Sequence, residues 1–337
     1  MARRKTKIQS GLSVEKAREI VIRVKKMEGL SKHTIENYNK LFNDLERCFA
    51  KNKYMENFSI SDARRFLEWQ LTEKQQFQGV RWGREKKIGV SVSSANSYLR
   101  LAKGAFSTLI NEGHLEENPF MEIKNIKFQK KQVETLTEEE IQKILKSLDH
   151  SWFADFRSAV LIHVLFDSFG RIGEVLALKK QDIDFQNGSI TFNETKNSLF
   201  RIVPVTKKTL NLLEKLIEEC DDWESEYIFL THAGNKLGTD AARKHIHEIA
   251  RRAGINRRIH PHIFRHTSSM MFLKNGGSIR ILQKILGHAD IKTTLIYSHV
   301  LDDTIKEQHE KFSPIRHLND GRKQKTRTSQ TEFKRRT

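Results

Sequence analysis

The segment HPHIFRHTSSMMFLKNGGSIRILQKILGHADIKTTLIYSHV, residues 260–300, concentrates polar side chains that suit chemistry at a phosphate. His262 and Arg265 stand three residues apart, so a helix there places both on one face. His288 follows Arg265 by 23 residues, and Tyr297 follows His288 by nine. Together, a guanidinium and two imidazoles can bind a phosphate, and a phenol can attack it.

A second arginine, Arg171, lies upstream in FGRIGEVLAL, at the start of a predicted helix, with Glu174 three residues later. Guanidinium forks can hold both non-bridging oxygens of a phosphodiester and neutralise the charge of the transition state. The sequence lacks GxxxxGK[ST], GxGxxG after a strand, HExxH and Cys/His metal spacing. We therefore expect attack at a phosphodiester with no cofactor and no metal.

The charge distribution points to a polyanionic partner. The 337 residues carry a formal net charge of +18, and 37% of them are hydrophobic, which supports a sizeable core and excludes a wholly disordered chain. The net charge is +11 over residues 1–135 and +6 over 313–337, but only +1 over 136–312. Basic regions that flank a nearly neutral body favour nucleic acid, with solvated helix faces as the alternative.

The sequence also bears on the compartment. No apolar run approaches the roughly 18 residues of a membrane span, and MARRKTKI lacks the apolar stretch of a secretory signal. The two cysteines, Cys48 and Cys220, suit a reducing compartment and exclude a disulfide framework. We expect a cytoplasmic protein.

Hydrophobic periodicity predicts a helical N-terminal region. Ser13 and Ser31 are predicted N-caps of the first two helices, and two more helices are predicted from about Ser61 and Ser93. The segment 127–135 is polar, basic and without periodicity, as expected of a linker.

A second body follows the linker. Thr137 and Glu140 have capping-box spacing, and apolar helices are predicted over about 153–169 and 172–179. Residues 188–205 predict two strands. The strands are centred on Ile190 and Phe192 and on Ile202 and Val205, with a turn near Asn197 and a further extended candidate at 227–230. The predicted fold class is mainly α with a small β-sheet, an α+β arrangement.

These motifs resemble those of the tyrosine recombinase, or phage integrase, family. The resemblance covers about 137–312 specifically, and the helical N-terminal part is similar to the family's core-binding domain. The matching positions are Arg171 with Glu174, His262 and Arg265 of an HxxR motif, His288 of an LGH motif, and the nucleophile Tyr297. The family also has a catalytic lysine on a β-hairpin. Between Lys180 and Lys207 this sequence has only Lys196.

The resemblance also implies a domain plan. We predict a basic arm over 1–12, a helical core-binding, DNA-binding domain over 13–126, the linker over 127–135, a catalytic domain over 136–312 and a basic tail over 313–337.

The mechanism that the resemblance implies begins with in-line attack of the Tyr297 hydroxyl on the scissile phosphate. The products are a 3′-phosphotyrosyl link and a 5′-hydroxyl. The charged oxygens would be held by Arg171, Arg265 and His288. Lys196 would be the general acid for the leaving oxygen, and His262 would assist proton transfer near Tyr297. Glu174 would orient its neighbours, because a carboxylate beside the scissile phosphate would repel it.

Three functions stay open from the sequence. The first is a site-specific DNA recombinase, of integrase or resolvase type, encoded by a mobile element and acting as a tetramer on two double-stranded DNA sites. The second is a DNA-bound regulator with weak or no catalysis, and the third is a type IB topoisomerase. The complete catalytic set weighs against the regulator. The basic N-terminal region and the segment after Tyr297, which could dock on a neighbouring protomer, favour recombination.

Overall fold

A computed structural model describes residues 11–49, 53–76, 87–129, 134–193, 200–297, 305 and 309–317. The chain divides into two compact units, Met1–Lys131 and Gln132–Thr337. This division falls within the segment predicted as a linker, and the boundaries of the five predicted domains stay predictions. None of the helices among the described residues is long and apolar enough to cross a membrane.

The first unit is helical. Its helices are α1 (Val14–Met27), α2 (Lys32–Cys48), α3 (Ile60–Thr72) and α4 (Val92–Asn111). The hydroxyls of Ser13 and Ser31 accept from the backbone N–H groups of Lys16 and Thr34, which confirms both predicted N-caps. The other two helices begin slightly before the predicted positions, after Ser59 and Ser91, because those hydroxyls are the ones that cap them.

Aromatic side chains fill the core of this unit. Phe42, Phe66, Phe106 and Phe120 are fully buried, and the rings of Phe106 and Phe120 lie 5.0 Å apart between centroids. Such aromatic pairs contribute about 0.5–1.5 kcal/mol of stability beyond the free energy gained by burying their apolar area. The first unit therefore has a hydrophobic core of its own.

The second unit surrounds a helix that is buried on nearly all sides. Its helices are α5 (Glu138–Lys146), α6 (Phe153–Asp167), α7 (Ile172–Val175), α8 (Lys207–Glu218), α9 (Thr239–Arg252), α10 (Pro261–Lys274) and α11 (Ile279–Leu286). The capping box of Thr137 and Glu140 is confirmed. Helix α6 packs against α8, α9 and α10, and α7 is shorter than predicted.

The sheet of the second unit has three antiparallel strands in the order β1-β2-β3. They are β1 (Ile183–Asp184), β2 (Ser189–Asn193) and β3 (Phe200–Pro204). The two predicted strands are confirmed, whereas β1 was not predicted because two residues are too few for a periodic pattern. The extended candidate at 227–230 forms only single bridges, from Tyr227 to Lys179 and from Leu230 to Lys236.

Strand β3 reverses the usual alternation of apolar and charged side chains. Arg201 and Val203 face the interior, whereas Ile202 is 60% exposed. Arg201 pairs across the sheet with Phe192 of β2. An arginine thereby reaches the buried side of the sheet, next to the start of α7.

Candidate active site

The turn between α6 and α7 positions Arg171. Phe169 adopts a positive φ of 54°, which is uncommon for a residue with a side chain. A Cβ on Gly170 would lie 2.5 Å from Cγ2 of Val175 and 3.1 Å from Cζ of Phe192, so this position has no room for a side chain. The tight turn places Arg171 directly before the first residue of α7.

Glu174 holds Arg171 at this helix start. Its Oε1 accepts from Nη1 of Arg171 at 2.6 Å, and its Oε2 accepts from the Arg171 backbone N–H at 2.9 Å. Oε2 also accepts from Nη2 of Arg201 at 2.7 Å. Burial by itself would raise the pKa of Glu174, but the hydrogen bonds and charges of Arg201 and Arg171 lower it to about 2. Glu174 is therefore a carboxylate at neutral pH.

Arg265 lies one turn into α10 and is 4% exposed. Its Nη1 donates to the carbonyl of Phe169 at 2.6 Å and its Nη2 to the carbonyl of Leu286 at 2.8 Å. Burial lowers the pKa of Arg265 to about 10, with a further contribution from Arg171. The guanidinium stays charged at neutral pH, and both of these partners are backbone carbonyls.

His288 follows α11, which ends at Gly287 in the left-handed conformation. Its Nε2 lies 3.1 Å from Nη2 of Arg265 and its Nδ1 2.9 Å from Oγ1 of Thr294. Because a guanidinium can only donate, Nε2 accepts and the proton of the neutral ring lies on Nδ1. Burial, and then the charges of Arg265 and Arg171, lower the pKa of His288 to about 4. The ring is neutral at pH 7.

His262 stands at the second position of α10, with its ring centroid 6.4 Å from that of His260. Burial lowers its pKa, and His260, Arg265 and Arg171 lower it further. Among the hydrogen bonds of the described residues, none joins His262 to Tyr297. The predicted help of His262 in proton transfer from Tyr297 stays a prediction.

Tyr297 ends a short 3₁₀ turn, Leu295–Tyr297, and is only 1% exposed. It belongs to a small apolar cluster with Leu273, Leu282 and Leu286. Its hydroxyl lies 2.6 Å from Nδ1 of His266. Burial raises the pKa of Tyr297, and the Ser269 hydroxyl and the Arg265 charge oppose this only in part.

His266 is therefore the histidine that contacts the predicted nucleophile. Burial, followed by the charges of His262 and Arg265, lowers the pKa of His266 to about 4. The neutral ring therefore forms its hydrogen bond to the phenol through Nδ1, as acceptor or as donor according to its tautomer. The sequence motifs do not single out His266, because HxxR spacing selects the histidine at 262.

The structure brings together most of the predicted residues. Arg265 contacts His288 directly, and Arg171, Glu174 and Arg201 are close enough to influence the pKa of Arg265. Lys196 lies outside the described residues, so its position in the hairpin stays a prediction. Within the described residues, no group of three or more histidine, cysteine or carboxylate side chains is arranged to hold a metal ion.

Arg201 is the member of this cluster that the sequence analysis missed. The alternation of side chains along a strand could have identified it. Residues 201 and 203 lie on the same face of β3, so burial of Val203 places Arg201 in the interior as well. The arrangement as a whole offers the guanidinium groups of Arg171 and Arg265 and the neutral imidazole of His288, which suits binding of a phosphodiester.

Known proteins with similar sequences identify the family of this chain. The sequence profile described as the Phage integrase family matches residues 134–304. The chain is 30% identical over 235 residues to a protein named tyrosine recombinase XerD from Listeria innocua, covering 68% of this chain and 79% of that protein. It is 29% identical over 297 residues to tyrosine recombinase XerC from Oceanobacillus iheyensis, covering 84% of this chain and 91% of that protein.

Solved structures share the fold. The Tn1549 transposon integrase in complex with a circular intermediate DNA matches with a TM-score of 0.70 at 18% identity, covering 90% of this chain and 100% of that one. A lambda integrase dimer bound to a COC′ core site matches with a TM-score of 0.67 at 17% identity, covering 86% and 79%. Both the family resemblance and the fold class predicted from the sequence are confirmed. The chain belongs to the phage integrase family of tyrosine recombinases, and is a site-specific recombinase.

Proposed function

We propose that this recombinase cuts one DNA strand at a time with the hydroxyl of Tyr297 and rejoins it to a partner strand. The observation that carries this assignment is the contact of Arg265 with His288, Nη2 to Nε2 at 3.1 Å, next to the pair of Arg171 and Glu174. These groups lie far apart in sequence and converge around one arginine. Such a cluster of donors can hold a phosphate as its charge increases in the transition state.

Cleavage exchanges one bond at the scissile phosphorus for another. The bond from Tyr297 Oη to phosphorus forms as the bond from phosphorus to the 5′-oxygen breaks, which leaves a 3′-phosphotyrosine. The leaving oxygen takes a proton from Lys196, while the phenolic proton passes to a base such as His262. The covalent link preserves the bond energy, so the 5′-hydroxyl of a partner strand can reverse the step without nucleotide hydrolysis.

The broader setting is also part of this proposal. We assign residues 13–126 to a core-binding domain that grips DNA together with the catalytic domain over 136–312, joined by the 127–135 linker. Exchange between two duplexes needs four cleavages, which favours a tetramer on two sites. We further assign the protein to a mobile element, and to the cytoplasm because its DNA substrate would be there. The net charge of +18 supports tight contact with DNA.

The test is covalent capture. A library of duplexes with randomised sequence, nicked at successive positions, is incubated with the full chain, and the DNA that migrates with the protein on a denaturing gel is sequenced. We expect recovery of a defined site, followed by strand exchange between two duplexes that carry it. A protein that binds a defined site without any adduct is a regulator. Relaxation of supercoiled DNA without strand exchange identifies a topoisomerase.

A further inference from the structure

The carboxylate of Glu174 is shared between two arginines. Oε1 is occupied by Nη1 of Arg171, and Oε2 is occupied by the backbone N–H of Arg171 and by Nη2 of Arg201. The side chains of Glu174 and Arg201 are 15% and 8% exposed. Water can therefore do little to screen the charges of Glu174 and Arg201 from each other, whereas the side chain of Arg171 is 38% exposed.

Contacts between β2 and β3 fix the position of Arg201. It stands opposite Phe192 in the register of β2 and β3, with its guanidinium carbon 4.6 Å from the centroid of that ring. The same ring limits the space at Gly170, directly before Arg171. One aromatic side chain thus supports both the Arg201 guanidinium and the turn that presents Arg171.

The net charge of this group depends on Arg201. A carboxylate bonded only to Arg171 would cancel the charge that Arg171 offers to a phosphate. With Arg201 present, the two guanidinium groups and one carboxylate keep a net charge of +1. Glu174 can then fix the orientation of Arg171 without neutralising it for the substrate.

We infer that Arg201 is a positioning residue for DNA cleavage, which neutralises Glu174 so that Arg171 is held in place and still carries its charge to the scissile phosphate. This inference rests on the proposed function. It gives a buried arginine on strand β3 a role in the reaction that acts through Glu174 and Arg171, without contact to the DNA.

The experiment compares two substrates and a compensating substitution. The site recovered by covalent capture is prepared as a nicked duplex with either a normal scissile phosphate or a methylphosphonate, in which a methyl group replaces one charged oxygen. Because the methylphosphonate has no such charge to neutralise, it needs less of Arg171. We expect Arg201→Met to slow cleavage of the phosphate by about 10–100-fold, and cleavage of the methylphosphonate by only about threefold.

The double variant Arg201→Met with Glu174→Gln removes both buried charges together. We expect it to cleave the normal phosphate within about tenfold of the wild-type rate, because Arg171 again keeps its charge. The matched control is Arg257→Met with Glu140→Gln, which removes another partly buried pair of the second unit, 2.6 Å apart. This control should cleave both substrates at the same ratio as the wild type.

Three outcomes would contradict a positioning role for Arg201. Wild-type speed in Arg201→Met, equal losses on both substrates, or a double variant about 100-fold slower than the wild type on the phosphate overturns the inference. If Arg201→Met alone fails to fold, the rate of the double variant gives the answer. Absence of adducts with the wild-type protein would instead overturn the proposed function.

Discussion

The hydroxyl of Tyr297 forms a hydrogen bond of 2.6 Å with Nδ1 of His266 inside the second unit. Burial raises the pKa of the phenol above its usual 10 and lowers the pKa of the imidazole to about 4. The raised pKa keeps the phenol protonated at neutral pH, and the lowered pKa keeps the imidazole neutral. The structure therefore holds the hydroxyl of Tyr297 in its protonated form in a buried position.

The first prediction concerns His266. In His266→Leu the buried hydroxyl of Tyr297 loses its hydrogen bond with residue 266, which costs about 1–3 kcal/mol of folding free energy. We expect a melting temperature lower by about 3–9 °C in a thermal scan of the full chain. His266→Asn is the control, because its amide group can still donate or accept a hydrogen bond, and it should lose less than half as much. Equal melting temperatures for the Leu variant and the wild type would contradict the importance of this bond.

The second prediction concerns the nucleophile. Tyr297→Phe removes only the hydroxyl, so it should abolish covalent adducts on a denaturing gel while leaving DNA affinity essentially unchanged in an anisotropy titration. Tyr227→Phe changes a tyrosine of the same unit that contacts Lys236 through its ring, and it should form adducts normally. Adducts that persist in Tyr297→Phe would show that another residue is the nucleophile.

The third prediction concerns Lys196. Loss of the proton donor in Lys196→Ala should slow cleavage by about 10²–10⁴-fold. A substrate with sulfur in place of the bridging 5′-oxygen needs no such proton and should restore the rate. Lys207→Ala, at the start of α8, serves as a control with normal cleavage of both substrates. Failure of the sulfur substrate to rescue would reduce Lys196 to a phosphate contact.

The fourth prediction concerns acid stability. His266 and His288 both have a folded-state pKa of about 4, below the value near 6.5 in an unfolded chain. Between these values the unfolded state binds more protons, so the free energy of unfolding falls as pH decreases from about 6.5 to 4. After allowance for partial exposure, each histidine contributes a loss of about 1–2 kcal/mol.

Urea unfolding of the full chain across this pH range measures the effect. His288→Gln should show a shallower decrease than the wild type, since it has one fewer depressed imidazole to protonate on unfolding. His33→Gln, at an exposed position of α2, is the control and should follow the wild type. Parallel curves for His288→Gln and the wild type would contradict the assigned neutral state of His288.

The fifth prediction concerns the uneven charge. Residues 136–312 carry a net charge of only +1, against +11 over residues 1–135. A 136–337 fragment should lose most of its DNA affinity, and its plot of log affinity against log salt should be shallower, because fewer counterions are released. Anisotropy across a salt series measures both quantities. Equal slopes and affinities for the fragment and the full chain would show that the N-terminal basic residues only form solvated helix faces.

Local signals in the sequence predicted much of the fold. Ser13, Ser31 and the pair of Thr137 and Glu140 were recognised because a capping hydroxyl and its partner lie within three residues of each other. Strand β1 was missed because it is defined only by its pairing with β2. A partner that is close in space but distant in sequence leaves no local pattern.

The same distinction divides the site residues. Arg171, Arg265, His288 and Tyr297 stand in spaced motifs, so the sequence identified them before their contacts were known. Arg201 was missed because an arginine beside an apolar residue in a strand is usually the exposed member of the pair. The alternation that buries Val203 also turns Arg201 inward, and the register of β2 and β3 places Arg201 opposite Phe192.

The way Arg265 is held has a consequence for how this enzyme can change over time. Its partners include the carbonyls of Phe169 and Leu286, which every amino acid supplies and which carry no opposing charge. Substitutions at 169 and 286 that keep the chain path therefore leave the grip on Arg265 intact. Arg171, in contrast, is held by the side chain of Glu174, so a substitution at 174 removes its support. The site thus combines an arginine anchored by backbone shape, which tolerates neighbouring mutation, with an arginine that depends on the identity of one side chain.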